Sequence, residues 1–457
     1  MDPGSCIENR EHFRKQVIAI ESTRFSKTSP SPLVRIEKLV PGGAGLGYMA
    51  DGAVFVPLTA PGDLVSVRKM SRRRGVYFAE PDEIIESAPE RRDPPCPWFG
   101  NCGGCQWMHM DYGSQIRWKE DIFRQALRGI AHIREYPPLS VHPAQSEFQY
   151  RFRARLQIKG SSVGFYRRAS NTIVAWERCM LLPEGLNLVV EDLRAWCRDN
   201  AVPGLMSCEA AMSPVDGSVT FHWIFNKPKG NSGAARMLMD GMEEITAGKG
   251  TNIAGQAAYG PGGEAIAARG GSLPLEVAGA RMRAAPGTFF QVNPDVNETL
   301  VGRTLLHLRS AGATSLLDLY CGNGNFSLPA AAAGIKTVGV ESSSKAVHDA
   351  RSASGPGSKF IEMDTTRFLE KNSEARDAVI VDPPRTGLPR EVVTMLGEER
   401  SPLLIYVSCE PSTLARDLAR LTGAGYVISN MELFDMFPQT SHSEALVVMK
   451  RQGSNAC

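Results

Sequence analysis

A chain of 457 residues with 42% apolar and 22% charged side chains has material for two to four domains, each able to bury a core. Its formal net charge of only +2 excludes a uniformly basic nucleic-acid binder, so any grip on nucleic acid must come from local patches. No apolar run approaches the ~20 residues of a bilayer span, and no charged-then-apolar leader precedes the ten unevenly spread cysteines. Together these features point to a reducing cytoplasm, with no membrane partner.

In chain order, residues 1–29 are polar with Ser-Pro repeats and read as a disordered lead-in. Over 30–90 the pattern becomes short strands broken by Gly and Pro, at 33–39, 47–49, 53–57, 64–69 and 75–80. Five such strands suit a small closed barrel of the oligonucleotide-binding type. Arg68, Lys69, Arg72, Arg73 and Arg74 gather on one hairpin beside Tyr77 and Phe78, a composition able to neutralise phosphates and stack bases.

Residues 91–285 read as a central α/β domain. Cys96, Cys102 and Cys105 lie within ten residues, interleaved with glycines that let the backbone wrap tightly, and Cys179 can close the set from a distance. Four thiolates can hold zinc or an iron–sulfur group. Zinc sites usually show two paired knuckles, and only Cys102 and Cys105 make a pair, so a [4Fe-4S] cluster is the preferred expectation. Spacing alone leaves Cys197 and Cys208 open as the fourth ligand, although Cys197 falls on the apolar face of a predicted helix. Downstream, Arg151, Arg153 and Arg155 alternate at period two and are expected on one strand face, where they could meet phosphates.

Residues 286–457 read as a Rossmann-like α/β unit. A strand over 314–319 runs into the glycine-rich turn after Tyr320, a nucleotide-type crevice opening. The next strand ends at Glu341, about twenty residues on, where a carboxylate can accept both ribose hydroxyls. Two further strands end in Asp364, suited to an adenine amino group, and in Asp382, which Pro383 and Pro384 present rigidly. The strand Ile405 to Ser408 delivers Cys409 to the start of a helix opened by Pro411, where the helix dipole should ease ionisation of the thiol below the free value of ~8.5. Cys409 is therefore a candidate nucleophile, and Glu444, just before a buried strand, is placed like the other site groups.

At Cys96/Cys102/Cys105/Cys179, Phe290 to Asn293, Asp318 to Phe326, Asp382 to Arg385, Ser408 to Asp417 and His442 to Glu444, the chain resembles the RNA uracil-C5 methyltransferase family. The likeness is to its branch with an N-terminal TRAM barrel and a [4Fe-4S] cluster, typified by bacterial 23S rRNA uracil-5 methyltransferases, and it extends from about residue 30 onward. The resemblance implies an S-adenosyl-L-methionine site lined by Gln291, Tyr320, Asn325, Glu341, Asp364 and Asp382, with Cys409 as nucleophile and Glu444 as base. It also implies Cys179 as the fourth cluster ligand and a monomer acting on RNA, with ribosomal RNA ahead of transfer RNA. One departure is Glu410, where Asn is more often found.

An RNA cytosine-C5 methyltransferase would carry a Cys after the proline at 383–384, where Arg385 stands, and an exocyclic-amino methyltransferase would carry an aromatic there. A redox-sensing RNA-binding module is the non-enzymatic alternative, and the four strand ends of the donor crevice argue against it.

Overall fold

The computed structural model describes residues 31–372, 374–398 and 401–452; the lead-in read over 1–29 lies outside them, as do Cys6 and Cys457. Strands β1 (Leu33–Leu39), β2 (Gly45–Met49), β3 (Gly52–Val56), β4 (Leu64–Arg73) and β5 (Val76–Glu86) close into a barrel of order β1-β2-β3-β5-β4. Period-two alternation sends Val34, Ile36, Val54, Val56, Val65 and Val67 inward, and closure leaves the sheet without an open edge. The basic hairpin is less charged than its sequence suggests. Arg68 pairs with Asp82 (3.1 Å) and Lys69 with Glu80 (2.9 Å), carboxylates supplied by the facing strand. The exposed basic tip narrows to Arg72, Arg73 and Arg74, with Arg72 over the Tyr77 ring.

The cysteine-bearing loop follows, then α1 (Tyr112–Gly129), started by Asp111 accepting the Ser114 N–H at 2.8 Å, and the short strand β6 (Leu139–His142). A seven-stranded sheet comes next, built from β7 (Arg153–Lys159), β8 (Ser162–Tyr166), β9 (Ile173–Val174), β10 (Leu205–Met212), β11 (Val219–Phe225), β12 (Ile253–Tyr259) and β13 (Ala265–Gly270). Helices α2 (Glu184–Asp199) and α3 (Ser232–Ala247) cover one face, burying Leu186, Val190, Leu193 and Trp196 against Phe221 and Trp223. The helices cross closely because Gly241 has no side chain: a Cβ there would fall 2.0 Å from the Trp196 indole nitrogen. Cys197 and Cys208 lie in this core. A hairpin of β14 (Leu273–Val277) and β15 (Ala280–Ala284) leads on to the last unit.

That unit opens with α4 (Pro294–Ser310), capped by the Asn293 side chain. It continues as β16 (Ser315–Leu319), α5 (Ser327–Ala332), β17 (Lys336–Glu341), α6 (Ser344–Ala353), β18 (Ser358–Glu362), α7 (Thr365–Lys371), β19 (Ala378–Val381), α8 (Arg390–Glu398), β20 (Leu403–Ser408), α9 (Pro411–Gly423), β21 (Tyr426–Phe434) and β22 (Glu444–Arg451). The sheet order is β18-β17-β16-β19-β20-β22-β21-β6, parallel from β18 to β20 and then antiparallel at β22. The chain reverses its winding between β16 and β19, and the carboxyl edge at such a switch point is where open α/β sheets bind ligands. The eighth strand, β6, comes from the stretch read as central domain and pairs in parallel with β21. Leu139, Ser140, Val141 and His142 alternate apolar and polar, but four residues are too short a run to mark a strand without the tertiary partner.

Glu432 on β21 ties this edge together. Its wholly buried carboxylate is bonded to His142 of β6 (2.7 Å), His307 of α4 (2.6 Å) and Nε and Nη2 of Arg303 (2.7 and 2.9 Å). Burial alone would raise the carboxyl pKa, but the bonds to His142, His307 and Arg303 outweigh it and hold the group well below the carboxylate range. A depressed folded pKa gives stability that is present above the unfolded value of ~4.3 and is lost as pH falls toward the folded one. Glu432→Gln should therefore cost about 2 kcal/mol at pH 7, since it leaves the half-buried Arg303 guanidinium without its counter-charge. In thermal melts the deficit against wild type should shrink as pH falls from 5 to 3. A constant deficit would exclude the carboxylate charge as its source.

Candidate active site

The carboxyl edge of the last sheet presents a row of polar groups. Asp364 follows β18, Glu341 ends β17, Tyr320 follows β16, Asp382 follows β19 and Cys409 follows β20. Strand β22 is antiparallel, so its first residue, Glu444, falls on the same edge. The pairing of Ser408 with Ala445 sets Cys409 and Glu444 across from one another.

On the donor side, the chain leaves β16 with Tyr320 at φ +64°, Gly322 at +54° and Gly324 at +93°, a left-handed sequence that folds the turn back on itself. Glu341 accepts the Gly322 N–H (3.3 Å), the Ser343 N–H (2.7 Å) and the Ser342 hydroxyl (3.2 Å), which fixes its carboxylate at the turn. Asn325 is bonded reciprocally to Asn297 of α4 (2.8 and 3.0 Å). Asp364 caps α7 through one oxygen (Arg367 N–H, 3.1 Å), and Gln291 is buried just before the Asn293 cap. The edge thus gathers Tyr320, Glu341, Asp364 and Asp382, while Gln291 and Asn325 approach from the α4 side. Behind the row, wholly buried Asp318 holds the Ser327 hydroxyl, and burial pushes its carboxyl up to about 7.

On the acceptor side, Cys409 corrects an expectation. Its thiol is pushed up to about 12, first by burial and then by Glu444 and Asp382; Arg385, hydrogen-bonded to the sulfur, pulls the other way without prevailing. The helix dipole does not rescue it, because Glu410 occupies the cap of α9 and accepts the Ser412 N–H (3.4 Å), one residue beyond the cysteine. The departure at Glu410 therefore supplies a cap. Burial and Asp318 raise Asp382 to about 7, and burial and Asp382 hold the Glu444 carboxyl well above the usual range.

Sequence reading passed over Arg385 and His442 as functional groups. Arg385 is the only cation within the Asp382–Arg385 loop, and that charge among carboxyls was the available signal. His442 is held down to about 4 by burial and then by Arg385, Lys119 and Arg151, so it presents a neutral imidazole. Both line a cavity of about 460 Å3 together with Phe437, Arg151, Arg155 and all four of Cys96, Cys102, Cys105 and Cys179. The expected row of three arginines is corrected too. Strand β7 begins only at Arg153, which pairs with Glu209 of β10 (3.4 Å) and lies over the Phe289 ring (4.4 Å), leaving Arg151 and Arg155 to face the cavity.

Among the described residues, no three Cys, His, Asp or Glu side chains are arranged to hold a single metal ion. The four cysteines nonetheless share apolar surroundings of Trp98, Phe99, Met108 and Leu181. Burial raises the Cys105 and Cys179 thiols, while backbone N–H groups of Leu181 and Leu182 on Cys179, and the nearby Arg151, favour their thiolates.

A closed N-terminal barrel, a switch-point crevice with a carboxylate on its glycine turn, and a cysteine facing a glutamate define a class: α/β methyltransferases fitted with an RNA-binding barrel. The family description tRNA (Uracil-5-)-methyltransferase matches residues 272–355 and 361–452, and the TRAM domain of tRNA (uracil(54)-C(5))-methyltransferase matches residues 33–89. An uncharacterized RNA methyltransferase of Aquifex aeolicus is 31% identical, over 91% of this chain and 97% of its own. A 23S rRNA (uracil(1939)-C(5))-methyltransferase of Pseudomonas aeruginosa is 32% identical, over 91% and 93%. The fold is shared with the crystal structure of the Pyrococcus abyssi tRNA (uracil-54, C5)-methyltransferase in complex with S-adenosyl-L-homocysteine. That match has a TM-score of 0.70 at 22% identity and covers 91% of this chain and 100% of that one. The chain belongs to the RNA uracil-5 methyltransferase family. No helix among the described residues is long and apolar enough to cross a membrane.

Because the thiol is protonated in the free protein, alkylation of Cys409 by iodoacetamide at pH 7.5, followed by mass spectrometry, should be at least about tenfold slower than for an exposed free cysteine. It should accelerate up to pH 10 and slow further in Arg385→Ala. Fast, pH-independent labelling would contradict the raised thiol.

Proposed function

We propose that the protein transfers the methyl group of S-adenosyl-L-methionine to C5 of a uridine in RNA through a transient bond between Cys409 and C6. The observation that carries this reading is the β20–β22 register, which sets a thiol opposite a carboxyl on the edge that also carries the donor crevice. Uracil C5 is too weak a nucleophile to take a methyl group unaided. Attack of the Cys409 thiolate on C6 moves the ring electrons toward C5 and O4, and C5 then displaces the methyl from the sulfonium, leaving S-adenosylhomocysteine. The Glu444 carboxylate removes the C5 proton, and the electrons of that bond re-form the C5–C6 double bond as the Cys409 sulfur departs.

The raised Cys409 thiol must first lose its proton. A sulfonium cation beside Asp382 favours the ionised forms of this buried set, as Arg385 already does, so donor binding would arm the site. Glu341 would hold the ribose, Asp364 through its uncommitted oxygen the adenine, and Gln291, Tyr320 and Asn325 the rest of the donor. The target base must leave its stack to reach Cys409, beside which Arg385 and neutral His442 can meet its polar edge. The tip at Arg72 to Arg74, with Arg151 and Arg155, would hold the flanking phosphates.

Cys96, Cys102, Cys105 and Cys179 would hold a [4Fe-4S] cluster, which supplies a cross-link between the loop and the segment before α2. Preparation under argon should then yield iron and acid-labile sulfide in equal amounts, both lost in Cys179→Ser. Iron-free protein that keeps its fold and activity would remove the cluster from this account. Reduced thiols and an RNA substrate suit the cytoplasm. Relatives of similar length favour 23S rRNA as the target, and the family description keeps transfer RNA as the second reading. Mapping 5-methyluridine in RNA from cells with and without the protein separates them.

With 5-fluorouridine RNA and donor, where fluorine cannot leave as a proton, a covalent complex should accumulate in wild type and be absent in Cys409→Ala. Glu444→Gln should still transfer the methyl group but release product roughly a hundredfold more slowly, trapping the adduct on ordinary RNA. Prompt turnover in that variant would remove Glu444 as the base.

A further inference from the structure

The nine residues 435–443 join β21 to β22 and deliver both His442 and Glu444. Their midpoint, Gln439, is wholly buried with φ +68°, a conformation in which glycine is the easy choice. The glutamine at this strained position is held by its hydrogen bonds. The carbonyl accepts the N–H groups of Gln106 (3.1 Å) and Trp107 (3.0 Å), the two residues directly after Cys105. The N–H donates to the Gln115 side-chain oxygen (2.9 Å). The side-chain oxygen accepts from Gln115 (3.0 Å) and Arg92 (3.2 Å), and the side-chain nitrogen donates to Glu147 (2.8 Å). One residue thus joins four separate segments with its polar groups engaged.

Its neighbours are gripped as well. Tyr150 donates to the Pro438 carbonyl (2.8 Å), and Lys119, one turn beyond Gln115 on α1, donates to the Phe437 carbonyl (3.0 Å) and pairs with Asp435. Gln115 and Lys119, four apart, present one helix face to the loop. The donor-side carboxylates Glu341 and Asp364, by contrast, take their hydrogen bonds from residues at their own strand ends and turns. Disturbance of the loop should reach the base before it reaches the donor.

We infer that Gln439 is a positioning residue that registers the cysteine-bearing segment against the catalytic strand, so that order at residues 105–107 sets the placement of Glu444. The inference rests on the uridine-methylating reading, in which Glu444 removes the C5 proton. It concerns the step after methyl transfer, because the loop leads into β22 whereas Cys409 hangs from β20.

The test uses the full-length protein with Gln439→Gly, which keeps the left-handed backbone without strain and deletes the side-chain bonds, and Gln115→Ala, which deletes the partner. Both variants should bind S-adenosyl-L-methionine within about twofold of wild type and form the 5-fluorouridine adduct. Both should release methylated RNA about tenfold to a hundredfold more slowly. The double variant Gln439→Gly/Glu444→Gln should release no more slowly than Glu444→Gln alone. Hydrogen exchange across residues 440–446 should rise in both single variants while that of 316–319 stays unchanged, a readout that needs no chemistry. Wild-type release rates, additive losses in the double variant, or donor binding, adduct formation and release all falling together would overturn the inference. A wild-type protein that binds donor but forms no adduct would instead overturn the reading beneath it, with the exchange data still reporting on Gln439.

Discussion

The antiparallel pairing of β22 against β20 is the constraint on which the site depends. In a wholly parallel sheet every strand brings its carboxyl end to the ligand edge, and the group facing Cys409 would have to come from a loop. Reversing one strand puts a strand's first residue there, held by the backbone ladder from Ser408 and Ala445 inward. The same ladder keeps Glu444 in a buried position where ionisation is costly, and burial raises both its carboxyl and the facing Cys409 thiol.

Burial does similar work elsewhere. Glu432 is buried and charged because His142, His307 and Arg303 converge on it, whereas Asp318 is buried with a hydroxyl and rises toward neutrality. The two carboxyls differ in their hydrogen-bond donors, three side chains including the Arg303 guanidinium against one hydroxyl, not in depth. The first fastens an edge strand, and the second leaves a titratable group behind the donor row.

Much of this was legible in the chain itself. The barrel declared itself because Gly and Pro break residues 30–90 into five short strands, and the polar edge of the last sheet did because Glu341, Asp364 and Asp382 each fall at a strand end, a position that local pattern can mark. What escaped depends on long-range partners. The ionisation of Cys409 was misread because the carboxyls that oppose it arrive from positions 382 and 444 and the cap belongs to Glu410. Arg153 looked unpartnered because Glu209 lies fifty-six residues away in sequence. Strand β6 was invisible because an alternation of only four residues is too short to stand out, and the shared cavity because cysteines near residue 100 and an arginine at 385 meet only after folding.

Strand β6 also bears on how the protein can be divided. Because a segment near residue 140 forms the outer strand of the catalytic sheet, and α1 packs through Ala126 against Ala415 of α9, the C-terminal portion is not a detachable cassette. Cut away at about residue 286, it would expose the naked flank of β21, a template for pairing with other chains, and would leave Glu432 without one of its histidines. Swapping catalytic halves between relatives would have to carry residues 112–142 along with them.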